Sequence, residues 1–212
     1  MSSRSIRQRR ERRIVIWLMA IMMLSPTVGI ATPQRVRGRQ ASALSPATAE
    51  RTIANRSRAV VNALSRRDMR GLARLVHPTR GVRFSPSPSV SESDAILTRA
   101  ELVSAWRDRR PDVWGETEAG EINMTFQQYF AEYVYDRDFA RIGQVSYNGS
   151  RSHGTNSNTL RDNYPRAILV EYHSPGRDPR AEGMDWKSLW LIFERAGREW
   201  YLVDIAHDEW ST

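Results

Sequence analysis

The hydrophobic and polar positions along the chain fall into three regimes. Met1–Arg13 is basic and polar, and Ile14–Leu24 is an unbroken run of eleven apolar residues. Ser25-Pro26 ends the run, and Gly29-Ile30-Ala31 offers small residues where a signal peptidase reads. Basic, apolar and small-residue regions in that order make an export signal. The apolar run is short for a bilayer span of about 20 residues, so cleavage after Ala31 is expected, with a retained N-terminal anchor as the alternative. Thr32–Leu44 is polar, basic and aperiodic, the composition of a disordered tether.

From Ser45 the pattern becomes periodic. Ser45-Pro46 sets an N-cap ahead of a proline at the first helical position. The helix behind it carries Ile53, Val60, Val61 and Leu64 on one stripe. Ser65-Arg66-Arg67-Asp68 has capping-box spacing and predicts a second, short helix with Met69, Leu72, Leu75 and Val76 inward, ended by His77-Pro78. Val82 and Phe84 alternate with Arg83 and predict a strand over 81–85. Capping boxes recur at Thr98–Glu101 and Thr125–Gln128. The first helix they open turns Leu102, Val103 and Trp106 inward, and the second Phe126, Tyr129, Phe130, Tyr133 and Val134. Strands are predicted over 139–147 and 166–173, with a long polar loop over 148–165 between them. Trp186–Glu194 and Glu199–Ala206 predict a hairpin turning at Ala196-Gly197, a register that sets His207 opposite Trp186. Helices first, then a strand, more helices and an antiparallel meander make an α+β fold, read as one domain over 45–212.

Charge changes this picture only when it is located. The formal charge of +8 comes from arginines in residues 1–44, and residues 45–212 balance to zero. A neutral domain has no bulk attraction for a polyanion, so nucleic acid is not an expected partner. Arginine greatly outnumbers lysine, which reads as coding bias. With no cysteine, the chain has no disulfide framework, lipid-modified cysteine or thiol nucleophile.

Several strings resemble those of a group of exported bacterial proteins within the NTF2-like (cystatin-like) superfamily. They are His77-Pro78 with Gly81–Pro86, Glu171-Tyr172-His173, Glu182–Trp186 and His207-Asp208-Glu209-Trp210. The resemblance implies a cone: a curved antiparallel sheet packed on a long N-terminal helix and shorter helices. It implies a location beyond the inner membrane and no particular reaction, because the superfamily holds isomerases, dehydratases and pure binding modules alike.

The strand ending at His173 should run antiparallel to the one starting at Trp186, bringing His173, Trp186 and His207 to one end of the sheet. An acid–base site would use His207 with Asp208 or Asp185, or His173 with Glu171, as imidazole and partner carboxylate. His207 and Asp208 point to opposite faces unless the strand ends at Ala206. Ligand contacts would come from His77, Arg83, Tyr172, Asp185, Trp186 and Trp210. The structural alternative has His77 bonding backbone, Arg83 pairing with Glu171 or Asp185, and the aspartates holding loop amides near Gly183. No two histidines have the local spacing of a zinc motif, and no cofactor is expected. The serines over 85–91 lack a Gly-x-Ser-x-Gly setting. Both faces of the hairpin are largely apolar, so one needs cover, either by a second copy packed sheet to sheet or by the 148–165 loop. The expected function is binding of a small ligand or protein partner in the cell envelope. The alternatives are a small cofactor-independent enzyme and a membrane-anchored assembly subunit.

Overall fold

The computed structural model describes residues 43–117, 119–142, 144–151 and 156–210, with backbone alone at 156 and 157. The export signal, most of the tether and His153 lie outside the described residues. The chain divides into two units, Met1–Ala41 and Ser42–Thr212, and the description below concerns the second.

Helix α1 spans Pro46–Ser65 and buries Ile53, Val60, Val61 and Leu64, the stripe predicted from the sequence. Helix α2 spans Met69–Leu75. Its cap is Asp68, whose carboxylate accepts the Gly71 N–H, so the expected box at Ser65 gives way to a simple aspartate cap. Strands β1 (Val82–Ser85) and β2 (Ala95–Leu97) lead to α3 (Arg99–Ala105), and β3 (Asp112–Thr117) pairs with β4 (Gly120–Met124) as a separate ribbon. Helix α4 (Phe126–Tyr129) continues as a π-helical turn over Phe130–Val134. The capping boxes at Thr98 and Thr125 both form. Phe84, Trp114, Phe126 and Tyr129 meet in stacked and edge-to-face contacts, with Phe84–Phe126 centroids 5.4 Å apart.

The strand expected over 139–147 is a short 3-10 turn at Phe139–Arg141 followed by β5 at Val145–Tyr147. The polar stretch after it contains helix α5 (Asn156–Asn163). Strands β6 (Ile168–Ser174), β7 (Lys187–Ala196) and β8 (Glu199–Glu209) complete the sheet, in the order β2-β1-β8-β7-β6-β5. The sheet is mixed: β1 runs parallel to β8, with Ser85 opposite Ala206 and Arg83 opposite Asp204. The expected all-antiparallel sheet is therefore corrected at one pair.

The β7–β8 register also differs from expectation. The closing pair is Ala196 with Glu199, leaving Gly197-Arg198 as a two-residue turn in which Gly197 takes a φ of 62°. A bulge follows: Phe193 pairs with Leu202, yet Ile192 pairs with Asp204, so Val203 is the extra residue. Beyond it Leu189 faces His207 and Ser188 faces Asp208. His207 therefore does not oppose Trp186.

Alternation now assigns the two faces. Tyr172, Leu189, Ile205, His207 and Phe84 share one face, where the Tyr172 hydroxyl reaches Ser57 of α1 at 3.2 Å. Leu169, Trp190, Ile192 and Ala206 share the other, packed with Leu160 of α5 and with Tyr164. The chain's own residues thus cover this apolar patch, and the reason given for a sheet-to-sheet homodimer falls away. Helical residues meet the sheet on both faces, where the element order suggested one.

Gly81 is the tightest backbone position beside β1. Its φ is +74°, and a Cβ there would run into the Leu97 carbonyl of β2. Neither the backbone angle nor a ladder carbonyl can give way cheaply. Gly81→Ala is expected to lower unfolding free energy by about 2 kcal/mol or more. Urea denaturation checks this, and an unchanged midpoint would disprove the constraint.

Candidate functional site

Three polar clusters lie on the β5–β6–β7–β8–β1 part of the sheet. The first joins β1 and β8. Ser85 Oγ lies 3.0 Å from Asp94 Oδ2 and 3.1 Å from Asp204 Oδ1. Ser85 and Asp204 are fully buried and Asp94 nearly so. A serine hydroxyl has one proton, so it cannot satisfy two buried carboxylates at once. Ser85 therefore shares its one proton between them, donating to Asp94 or to Asp204 but not to both at once. Tyr164 donates to Asp204 Oδ2 at 2.7 Å, and the Ser91 N–H donates to Asp94 at 2.9 Å. Burial pushes the Asp204 carboxyl up to about 7, the Asp94 charge adds to the rise, and Tyr164, Arg83 and Ser85 hold it back. The Arg83 guanidinium stands 3.9 Å from Asp94 and bonds the Ser91 carbonyl at 2.5 Å. Arg83 thus closes this cluster rather than pairing with Glu171 or Asp185.

The second cluster crosses β5, β6 and β7 on the same face. Ser188 Oγ donates to Glu171 Oε1 at 2.9 Å and sits 2.9 Å from His173 Nδ1. With its proton committed to Glu171, Ser188 accepts from a His173 Nδ1–H. Ser146 Oγ and the Arg151 N–H fill Glu171 Oε2. Serine, histidine and glutamate are all present, but in the wrong order for nucleophilic catalysis. The hydroxyl lies between base and carboxylate instead of in front of the base, and Ser188 and Glu171 are fully buried. Trp186 lies against the His173 ring, centroids 5.7 Å apart. Asp208 is on this face too, accepting the Trp190 indole N–H at 3.3 Å.

The third cluster is on the opposite face. His207 Nε2 lies 3.2 Å from Asp136 Oδ2, and Lys187 Nζ bridges Asp136 at 2.6 Å and Glu209 at 2.7 Å. Tyr133 meets the His207 ring edge-on at 5.8 Å. Burial alone would raise the Asp136 carboxyl, but hydrogen bonds from His207 and Lys187 outweigh it and hold the group below its usual range. Burial likewise opposes charge on Lys187, and Asp136 and Glu209 overcome it. Asp136 Oδ1 and the nearby strand-end Ser174 Oγ are buried without a hydrogen-bond partner among the described residues.

These positions settle where each expected site residue sits. His173, Glu171 and Asp208 share one face; His207 is at the same end of the sheet on the other. The four therefore form no single acid–base site. β8 runs to Glu209, so His207 and Asp208 do diverge. His77 is apart from all of them: its Nδ1 accepts the N–H groups of Thr79 and Arg80, 3.3 and 3.1 Å away, and burial, then Arg80 and Arg99, lower its pKa. Tyr172 faces α1, and burial pushes its hydroxyl up to about 12. Asp185 accepts the N–H groups of Arg177 and Asp178, which hold its pKa down, and ties the loop around Gly183 as the structural alternative foresaw. Trp210 is exposed at the end of β8. Sequence reasoning missed Asp204, Asp94 and Asp136. An aspartate inside the apolar run Tyr201–Ala206 was the available signal for the first.

Among the described residues no group of three or more His, Cys, Asp or Glu side chains is placed to hold a metal ion, and no helix is long and apolar enough to cross a membrane. Comparison with protein-family models, curated proteins and solved structures finds no match to the chain.

Asp204 sets a pH dependence. Its folded pKa of about 7 lies above the ordinary value of about 3.9, so the folded state binds the proton more tightly. Its contribution is complete below pH 4 and is lost as pH rises through 7, a slope of up to about 4 kcal/mol in total. Asp204→Asn keeps an acceptor for Tyr164 without the titration. Denaturation between pH 5 and 8 should show wild-type stability falling and the variant nearly flat; equal slopes would exclude the raised Asp204 pKa.

Proposed function

We propose that this chain is an exported, non-catalytic binding domain of the cell envelope, built as an NTF2-like cone, whose partner is a small ligand or a protein. The export assignment is supported by the Met1–Ala31 pattern and the cone by the order of the elements, with a long helix first and the β6–β7–β8 meander last. The binding reading is carried by one observation. The two imidazoles expected to do chemistry are buried and engaged in bonds within the protein, His173 through Ser188 with the expected Glu171 and His207 with the half-buried Asp136. A catalytic pair has to present a free lone pair or proton to a substrate beside an accessible pocket. These pairs stabilise the sheet ends instead.

One contact favours the enzyme reading: His207 and Asp136 are within hydrogen-bond distance, as a general base and its orienting carboxylate would be. Chromogenic esters and enolisable ketones test it. No turnover above buffer is expected from the wild type, and His207→Gln and His173→Asn should lower the melting temperature alone. Turnover abolished by His207→Gln but kept in the remote Arg198→Gln would overturn the non-catalytic reading.

A further inference from the structure

The domain's charge is balanced in sum and divided along the chain. Residues 46–80 carry eight arginines against Glu50 and Asp68, a net of +6, and residues 81–212 carry the compensating −6. Part of the basic set is engaged in place: Arg56 pairs with Glu199 and Arg80 with Glu194, while Arg67 keeps its charge over the Trp106 ring. Arg66, Arg70 and Arg74 are exposed and have no ion-pair partner among the described residues.

Two of these three border a groove of about 320 Å³ between α1 and α2. Ala59 and Ala63 on α1 and Arg66 at its C-cap follow at spacings of four and three, and Gly71, Arg74 and Leu75 lie along α2 at three and one. Small residues on both helices make the space concave. The Asn62 amide borders it, and Asp68 is already committed to capping α2. The result is a short apolar floor between two guanidinium groups, whose charge the single Asp68 carboxylate offsets only in part.

We propose that this α1–α2 groove docks an acidic, carboxylate-bearing peptide segment of a partner protein. The inference rests on the binding-domain reading and names its surface. Charge complementarity selects the occupant: two guanidiniums favour carboxylates, and the floor of Ala59, Ala63 and Leu75 accepts a small apolar side chain between them. The chain's own N-terminal residues do not fit, because residues 1–44 carry nine arginines and one glutamate and would be repelled. A polyphosphate fits less well, since the domain as a whole is neutral and the floor between the two arginines is apolar. A membrane surface fits less well too, because no aromatic side chain lines the groove to enter the interface.

The experiment uses the full chain and a fluorescein-labelled peptide of alternating glutamate and leucine. Arg66→Glu/Arg74→Glu should weaken binding about tenfold or more, and Arg66→Gln/Arg74→Gln by a smaller factor. Arg177→Glu/Arg198→Glu, with the same change in net charge on exposed arginines elsewhere, should bind within about twofold of wild type. Circular dichroism melts confirm that each variant is folded. Equal loss in both Glu pairs would reduce the effect to bulk charge and overturn the proposal. So would tighter, groove-dependent binding of a single-stranded oligonucleotide or of phosphatidylglycerol vesicles. Sedimentation covers the remaining occupant: a dimer that Arg66→Glu/Arg74→Glu dissociates would show the acidic half of a second copy there, and would also overturn it. None of these failures would touch the turnover result, so the binding-domain reading stands or falls separately.

Discussion

One extra residue in β8 decides what this sheet can do. Side chains alternate along a strand, so a single insertion exchanges the faces of everything beyond it. Before Val203, Leu202 faces Phe193 in ordinary register; after it, Asp204, Ala206 and Asp208 turn toward Trp190 while Ile205 and His207 turn toward Leu189. Without that bulge His207 would stand beside Ser188, on the face of His173 and Glu171. With it, an imidazole pair that could have shared one cavity is divided by the thickness of the sheet. The carboxylates of Asp204 and Asp208 are instead brought onto a face they share with Leu169 and Ile192.

Burying those carboxylates sets the demands on the rest of the sheet. An unpaired ionised carboxylate in an apolar interior is far too costly to persist, so it must be neutralised or fully hydrogen-bonded. The protein does each in turn. Asp204, its pKa raised by burial, accepts from Tyr164 and Ser85. Asp208 takes the Trp190 indole. Glu171 accepts Ser146, Ser188 and the Arg151 amide, and Asp136 gathers Lys187 and His207. Each network ties elements far apart in sequence, so the polar groups specify which strands and turns meet, while the Phe84–Trp114–Phe126 cluster supplies apolar packing.

Much of the fold was legible in the chain. Periodicity placed α1 and α2, the two capping boxes marked the starts of α3 and α4, alternation found β1, and apolar runs bounded by turn residues found β6, β7 and β8. Short or polar elements escaped because their signals are local and weak. Ala95–Leu97 is three residues long, Asp112–Met124 mixes acids with apolar residues, and α5 is polar except for Leu160. The candidate site was less legible than the fold. Its histidines and Glu171 were recognised while Asp94, Asp136 and Asp204 were not, and of the residues named all but Trp210 are at least half-buried in specific contacts, yet which face each one occupied hung on a bulge that no residue type announces. The parallel partnering of β1 and β8 was equally silent, since it joins segments more than a hundred positions apart. The arginines of α1 and α2 were visible as letters, but a whole-domain charge of zero concealed their segregation.

That parallel pairing has a consequence for how the molecule comes into being. Val82–Ser85 emerges in synthesis more than a hundred residues before Glu199–Glu209, its parallel ladder partner. Local helices can form meanwhile, but the closure linking the two ends is non-local and comes late. Until then Ser85 and Asp204 remain apart and an open strand edge persists. A ribosome product that stopped short of Glu199–Glu209 would therefore be recognisable to proteases and chaperones as incomplete, whatever the quality of the helices already made.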